Sequence, residues 1–93
     1  MEKKYKVAIL DDETVWIEAI VMLLERAPEI EIVGSAGSQK EAVELAVRKR
    51  PDLFLVDINL GHAYQTGISA MIAILDASPL TDVIVLTATE SDK

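Results

Sequence analysis

One run of eight residues constrains this chain more than any other: Leu53-Phe54-Leu55-Val56-Asp57-Ile58-Asn59-Leu60, with Pro51 before it and Gly61 directly after. Four apolar side chains in unbroken succession end on a carboxylate. A short apolar run bounded by turn-forming residues suits a strand covered on both faces, as in the middle of a parallel sheet. The last residue of such a strand leaves the sheet at its carboxyl edge, where ligands bind in open α/β sheets. Asp57 is therefore expected as an acid at the reactive edge.

The rest of the chain supplies the sheet around that strand. Lys6 to Leu10 reads as a first buried strand running into Asp11-Asp12-Glu13. Thr14 is placed to cap a helix that continues to about Ala27, before Pro28. Its apolar residues cover far more than one stripe, which predicts packing against more than one neighbour. The alternation Ile30-Glu31-Ile32, within 29–33, suits a half-buried edge strand. Ser38-Gln39-Lys40-Glu41 is a capping box opening a second helix, with Ala42, Leu45 and Ala46 as its inward stripe and Pro51 as its stop. A loop from Leu60 to about Thr66 precedes a third helix, about Gly67 to Ala77, with Ile68, Met71, Ile72 and Leu75 expected inward. Val83-Ile84-Val85-Leu86 is a fourth strand ending at Thr87.

This β-α-β-α-β-α-β rhythm, with right-handed crossovers, predicts a doubly wound parallel sheet of strand order 2-1-3-4. The order sets the ends of the first, third and fourth strands side by side. Asp11, Asp12, Asp57 and Thr87 then meet in one cleft. Acids that close repel one another unless a cation sits among them. An all-oxygen donor set with positions left for water or phosphate describes Mg²⁺ better than Zn²⁺. An aspartate beside such a cation can attack a phosphoryl group and hold it as an acyl phosphate. The Thr87 hydroxyl can hydrogen-bond the phosphoryl oxygens.

Composition narrows the partners. The net charge of −7 disfavours direct nucleic-acid contact by this segment, because phosphate contacts need lysine and arginine. There is no cysteine, which removes disulfides and thiolate metal sites. No apolar stretch approaches membrane-spanning length, and no signal peptide is evident, so a cytoplasmic location is the default expectation.

Three motifs together, Ile9-Leu10-Asp11-Asp12-Glu13, Leu55-Val56-Asp57-Ile58-Asn59 and Val83-Ile84-Val85-Leu86-Thr87-Ala88, resemble the receiver domain of bacterial two-component response regulators. Ala27 to Gly34 and Arg50-Pro51-Asp52 resemble receivers attached to helix-turn-helix DNA-binding domains. The resemblance covers nearly all of residues 1–93, from the first strand to the start of a fourth helix, and implies a flavodoxin-like fold. It implies Asp57 as the phosphoacceptor, a sensor histidine kinase as the donor, and Mg²⁺ held by Asp11, Asp12, Asp57 and the backbone carbonyl of Asn59. It makes Thr87 the switch hydroxyl, and gives Asn59 and Thr89 positions that tune how long the phosphoryl group lasts.

Two departures accompany the resemblance. Gly61 stands where receivers usually have proline, and the loop bearing His62 and Tyr64 is about two residues longer. A fifth strand ending in lysine and a fifth helix are absent from the sequence, and Lys93 is too near Thr87 to replace that lysine. Weakened switching is expected from this, and so is self-association through the fourth-strand edge or the first helix. The alternative is a phosphate-independent interaction or dimerisation module on the same fold. A haloacid-dehalogenase-like phosphohydrolase fits less well, since it wants Asp-x-Asp where this chain has adjacent acids. Signalling without enzymatic turnover is the expectation.

Overall fold

The computed structural model describes residues 4–57 and 66–86. Seven elements follow one another: β1 (Tyr5–Leu10), α1 (Thr14–Leu24), β2 (Ile30–Ala36), α2 (Gln39–Lys49), β3 (Leu53–Asp57), α3 (Thr66–Ala77) and β4 (Asp82–Leu86). The strands form one sheet in the order β2-β1-β3-β4, with every pairing parallel. This is the order expected from the alternation of apolar runs. Val7 pairs with Leu53 and Leu10 with Val56, while Leu53 pairs with Asp82 and Asp57 with Leu86.

The core lies on one side of the sheet. Ala8 and Leu10 of β1 and Phe54 and Val56 of β3 pack with Ala42, Leu45 and Ala46 of α2 and with Ala70 and Ile74 of α3. Val83 and Val85 join this cluster from β4. Side chains alternate along a strand, so Val7, Ile9, Leu53, Leu55, Ile84 and Leu86 belong to the other face. Val7 through Leu10 are each at most 1% exposed, and β1 is thus covered on both sides. The same was expected of β3, but its burial alternates: Leu53 and Leu55 are only half-buried. The cause is α1, whose packing on the sheet is concentrated on β2. No residue of α1 is buried, contrary to the reading of that helix as packed on several sides.

Local sequence explains the helix ends. Ser38 Oγ accepts the Glu41 N–H at 3.2 Å, the first bond of the expected capping box, while Glu41 Oε1 reaches one residue past the cap and accepts the Gly37 N–H at 2.8 Å. Arg50 takes left-handed backbone angles (φ 48, ψ 60) and sends its N–H to the Ala46 carbonyl, ending α2 before Pro51. The cap of α1 falls on Glu13, without a side-chain bond, and Thr14 is already helical. Gly34 sits where α2 comes closest to β2; a Cβ there would lie 2.8 Å from Leu45 Cδ1.

In α3 the inward residues are Gly67, Ala70 and Ile74, whereas Ile68, Ile72 and Leu75 are exposed and Met71 half-buried. The expected stripe is rotated because the small residues lie where α3 meets α2. Ala42, Ala46 and Ala70 are all fully buried in the one core cluster that α2 and α3 share, and alanine permits close approach. Ser69 Oγ donates to Gln39 Oε1 across the two helices at 3.1 Å.

The amino-terminal edge of the sheet is pinned by hydrogen bonds. The Lys6 N–H donates to Asp52 Oδ2, and the Asp52 N–H to the Lys6 carbonyl, both at 2.8 Å. Thr81 Oγ1 donates to the Pro51 carbonyl at 2.7 Å and shares a buried contact with Ser78 Oγ at 2.8 Å. These bonds set β4 against β3 before either strand reaches the opposite edge.

Candidate functional site

The carboxyl edge carries the acids. Asp11 directly follows β1, and its N–H donates to the Ala36 carbonyl at 3.0 Å, which prolongs the β1–β2 ladder by one bond. Its side chain is 8% exposed, and Oδ1 accepts the Glu13 N–H at 2.9 Å. Such a bond two residues onward is an Asx turn, and it swings the chain from strand into α1. Asp12, next along that turn, is exposed.

Asp57 is the last residue of β3 and is half-buried. Leu10 pairs with Val56, so Asp11 and Asp57 are the next residues on adjacent strands. Carboxylate oxygens of Asp11, Asp12 and Asp57 lie within 4.8 Å of one another. The three acids predicted to converge therefore do so. Burial holds the Asp11 carboxyl above the usual carboxylate range; the Glu13 N–H opposes that, and the charges of Asp57, Asp12 and Glu13 add to it.

The donor set fits a hard divalent cation. It consists of carboxylates alone, with one acid buried and one open to water. Asp11, Asp12 and Asp57, with oxygens within 4.8 Å of one another, would hold such an ion directly or through water. Among the described residues this is the group able to hold a metal ion.

Asn59, Thr87 and Thr89 lie outside the described residues, as do Gly61, His62, Tyr64 and Lys93. What sequence reading missed is the Glu13 amide, which holds Asp11 in place. A carboxylate two residues before the residue that caps a helix was the signal available for it.

Comparison with known proteins agrees with this architecture. Residues 7–93 match the family model described as the response regulator receiver domain. A protein-glutamate methylesterase/protein-glutamine glutaminase of Methanospirillum hungatei is 32% identical over 80 residues, 86% of this chain and 22% of that protein. The transcriptional regulatory protein DegU of Brevibacillus brevis is 31% identical over 86 residues, 92% of this chain and 36% of that protein. The crystal structure of the response regulator domain of Thermotoga maritima CheB superposes with a TM-score of 0.80 at 27% identity, covering 91% of this chain and 61% of that one. The chain thus spans about a fifth to a third of the full-length relatives named here.

Proposed function

The chain belongs to the response regulator receiver family, and from that premise we propose that it accepts a phosphoryl group on Asp57 from a sensor histidine kinase. A carboxylate oxygen of Asp57 bonds to phosphorus as the P–N bond of the kinase's phosphohistidine breaks, its electron pair returning to the imidazole nitrogen. The product is an aspartyl phosphate. Asp11 and Asp12, with Asp57 and the Asn59 carbonyl, would hold Mg²⁺. When bound, the cation offsets the charge of the acids and of the incoming phosphoryl oxygens. The Thr87 hydroxyl donates a hydrogen bond to one of those oxygens. In this reading the domain acts in the cytoplasm as a signalling element without turnover of its own. Its output belongs to whatever it is joined to or binds.

The observation that carries the proposal is the meeting of Asp11, Asp12 and Asp57 within 4.8 Å at the end of two adjacent strands. Incubation with a small-molecule phosphodonor and Mg²⁺, followed by intact-mass measurement, should add one phosphoryl group. Asp57→Asn should abolish that addition, and Asp12→Ala should remove the stabilisation by Mg²⁺ seen in a melting curve. Labelling that survives Asp57→Asn would place the acceptor elsewhere.

A further inference from the structure

Strand register is normally fixed by apolar residues alternating with polar ones, because a slip of one residue turns the apolar set away from the core. β4 lacks that alternation: Val83-Ile84-Val85-Leu86 is apolar throughout. A slip of one residue would bring Ile84 and Leu86 to the core in place of Val83 and Val85, a change of one methylene each. Backbone ladder bonds select no better, since they repeat along the strand whatever the side chains are. Yet β4 keeps one register with β3, from Leu53 opposite Asp82 to Asp57 opposite Leu86. The device that selects it lies just ahead of the strand. Thr81 is 3% exposed and Ser78 2%, and with Asp11 they are the buried polar residues among those described. Thr81 Oγ1 donates its single hydrogen to the Pro51 carbonyl at 2.7 Å, so Ser78 Oγ is the donor in the 2.8 Å contact between the two hydroxyls. The Thr81 N–H donates to the Ser78 carbonyl at 3.0 Å, and the Ser78 N–H to the Ile74 carbonyl at 2.8 Å. Thr81 is thereby tied both to the segment that starts β3 and to the end of α3.

We infer that Thr81 is a positioning residue for the phosphoryl reaction, its hydroxyl fixing the register of β4 on β3 and hence how far Thr87 stands from Asp57. The inference rests on the reading of Asp57 as acceptor and of Thr87 as the hydroxyl that meets the phosphoryl oxygens. Thr87 follows Leu86 directly in sequence, and Leu86 pairs with Asp57. A slip of one residue displaces a strand by about 3.3 Å, more than the length of an O–H···O hydrogen bond. A misplacement of about 1 Å can already cost roughly a hundredfold in rate. Thr81 stands about 17 Å of strand away from Leu86, from a rise of about 3.3 Å per residue, so it acts through β4 and not by touching the reacting atoms. A side chain at the same edge ties β1 to β3 in like manner, where Asp52 Oδ2 accepts the Lys6 N–H at 2.8 Å. The strands that carry Asp11, Asp57 and Thr87 are thus aligned from the edge opposite the site, and rigid strands carry that alignment across the sheet.

Thr81→Val keeps the shape of the side chain and removes its hydroxyl, whereas Thr81→Ser keeps the hydroxyl. With a small-molecule phosphodonor and Mg²⁺, Thr81→Val should be labelled roughly tenfold more slowly than the parent chain, and Thr81→Ser within about twofold of it. Leu45→Val thins the core on α2 instead and should leave the labelling rate of the folded chain unchanged, which separates positioning from lost stability. Thr87→Ala removes the group that Thr81 positions, so adding Thr81→Val to it should slow labelling no further. Cross-strand nuclear Overhauser contacts read the register itself. Val56 should face Val85 in the parent chain, and a second set of contacts displaced by one residue should appear in Thr81→Val. A parent chain that takes no label overturns the phosphoryl reading and this role with it. A labelled parent whose Thr81→Val variant reacts at the parental rate, loses rate additively with Thr87→Ala, or keeps its register unshifted overturns the inference alone. If Thr81→Val does not fold, Ser78→Ala frees Thr81 from one of its two partners, and the same comparison with Thr87→Ala decides.

Discussion

On the face carrying α2 and α3, Ala8, Leu10, Phe54 and Val56 are wholly withdrawn from water, and even β4 contributes Val83 and Val85. The opposite face begins equally dry at Val7 and Ile9, is half-open at Leu53 and Leu55, and ends with Ile84 and Leu86 exposed over nearly half of their surface. The strands are the same and their residues equally apolar, so the difference lies in the helices above them. Two helices cover all four strands on one side, whereas α1 packs mainly over β2. An apolar run therefore reports that a strand can be buried twice, and the number of helices on each face decides whether it is. Asp57 follows Leu53 and Leu55 in alternation, so the candidate acceptor opens toward the thinly covered face, where a partner can reach it.

The largest expected effect separates the two faces directly. Phe54→Ala deletes the largest fully buried side chain and should cost about 3–5 kcal/mol, enough to unfold much of the population of a domain this size. Leu55→Ala, one residue away on the half-open face, should cost less than half of that, since water already reaches the site. Urea titration of the two variants compares them. Equal losses would mean that the open face is as dry as the packed one.

A smaller effect probes the α2–α3 junction. Ala46→Leu forces extra methylenes between helices that approach closely, and overpacking of this kind costs typically about 1–3 kcal/mol. The same enlargement at Ala19 on α1, which is only partly covered, should change stability by less than about 0.5 kcal/mol. Thermal melts suffice to rank them. If Ala46→Leu is neutral, the two helices do not meet through their alanines as described.

Much of this arrangement was legible in the sequence, and what was not has physical causes. Strand number and order followed from apolar runs punctuated by proline and glycine, because parallel strands need helical crossovers and their handedness leaves few topologies. The capping box at Ser38 and Glu41 was readable because its bonds are local. The carboxylate cluster followed from strand order, since residues that end adjacent strands must be neighbours. The inward stripe of α3 was misread because periodicity ranks residues by apolarity, whereas close helix packing selects small ones, and Ala70 took the place expected of Ile72. The cap of α1 was misread for a similar reason: Thr14 is the better capping side chain, but the turn held by Asp11 starts the helix one residue earlier.

The smallest effect concerns the site, and its sign distinguishes an acid placed for a cation from one placed for the fold. The folded state holds the Asp11 carboxyl above its ordinary range, first through burial and then through its acidic neighbours. Between that ordinary range and the raised folded value, the folded chain binds more protons than the unfolded one, so stability falls as pH rises through this window. Above the window the penalty is fully present, and below the ordinary carboxylate range it vanishes. Asp11→Asn removes the charge but keeps an Oδ1 that can accept the Glu13 N–H. Without metal, the variant should therefore be more stable than the parent at neutral pH by less than about 1 kcal/mol, and the gap should close as the solution is acidified. Added Mg²⁺ should reverse the order, because a ligand that binds only the folded parent stabilises it by mass action. Melting curves of both chains across pH, with and without Mg²⁺, measure all three effects, and a variant less stable at neutral pH without metal would make Asp11 a structural acid.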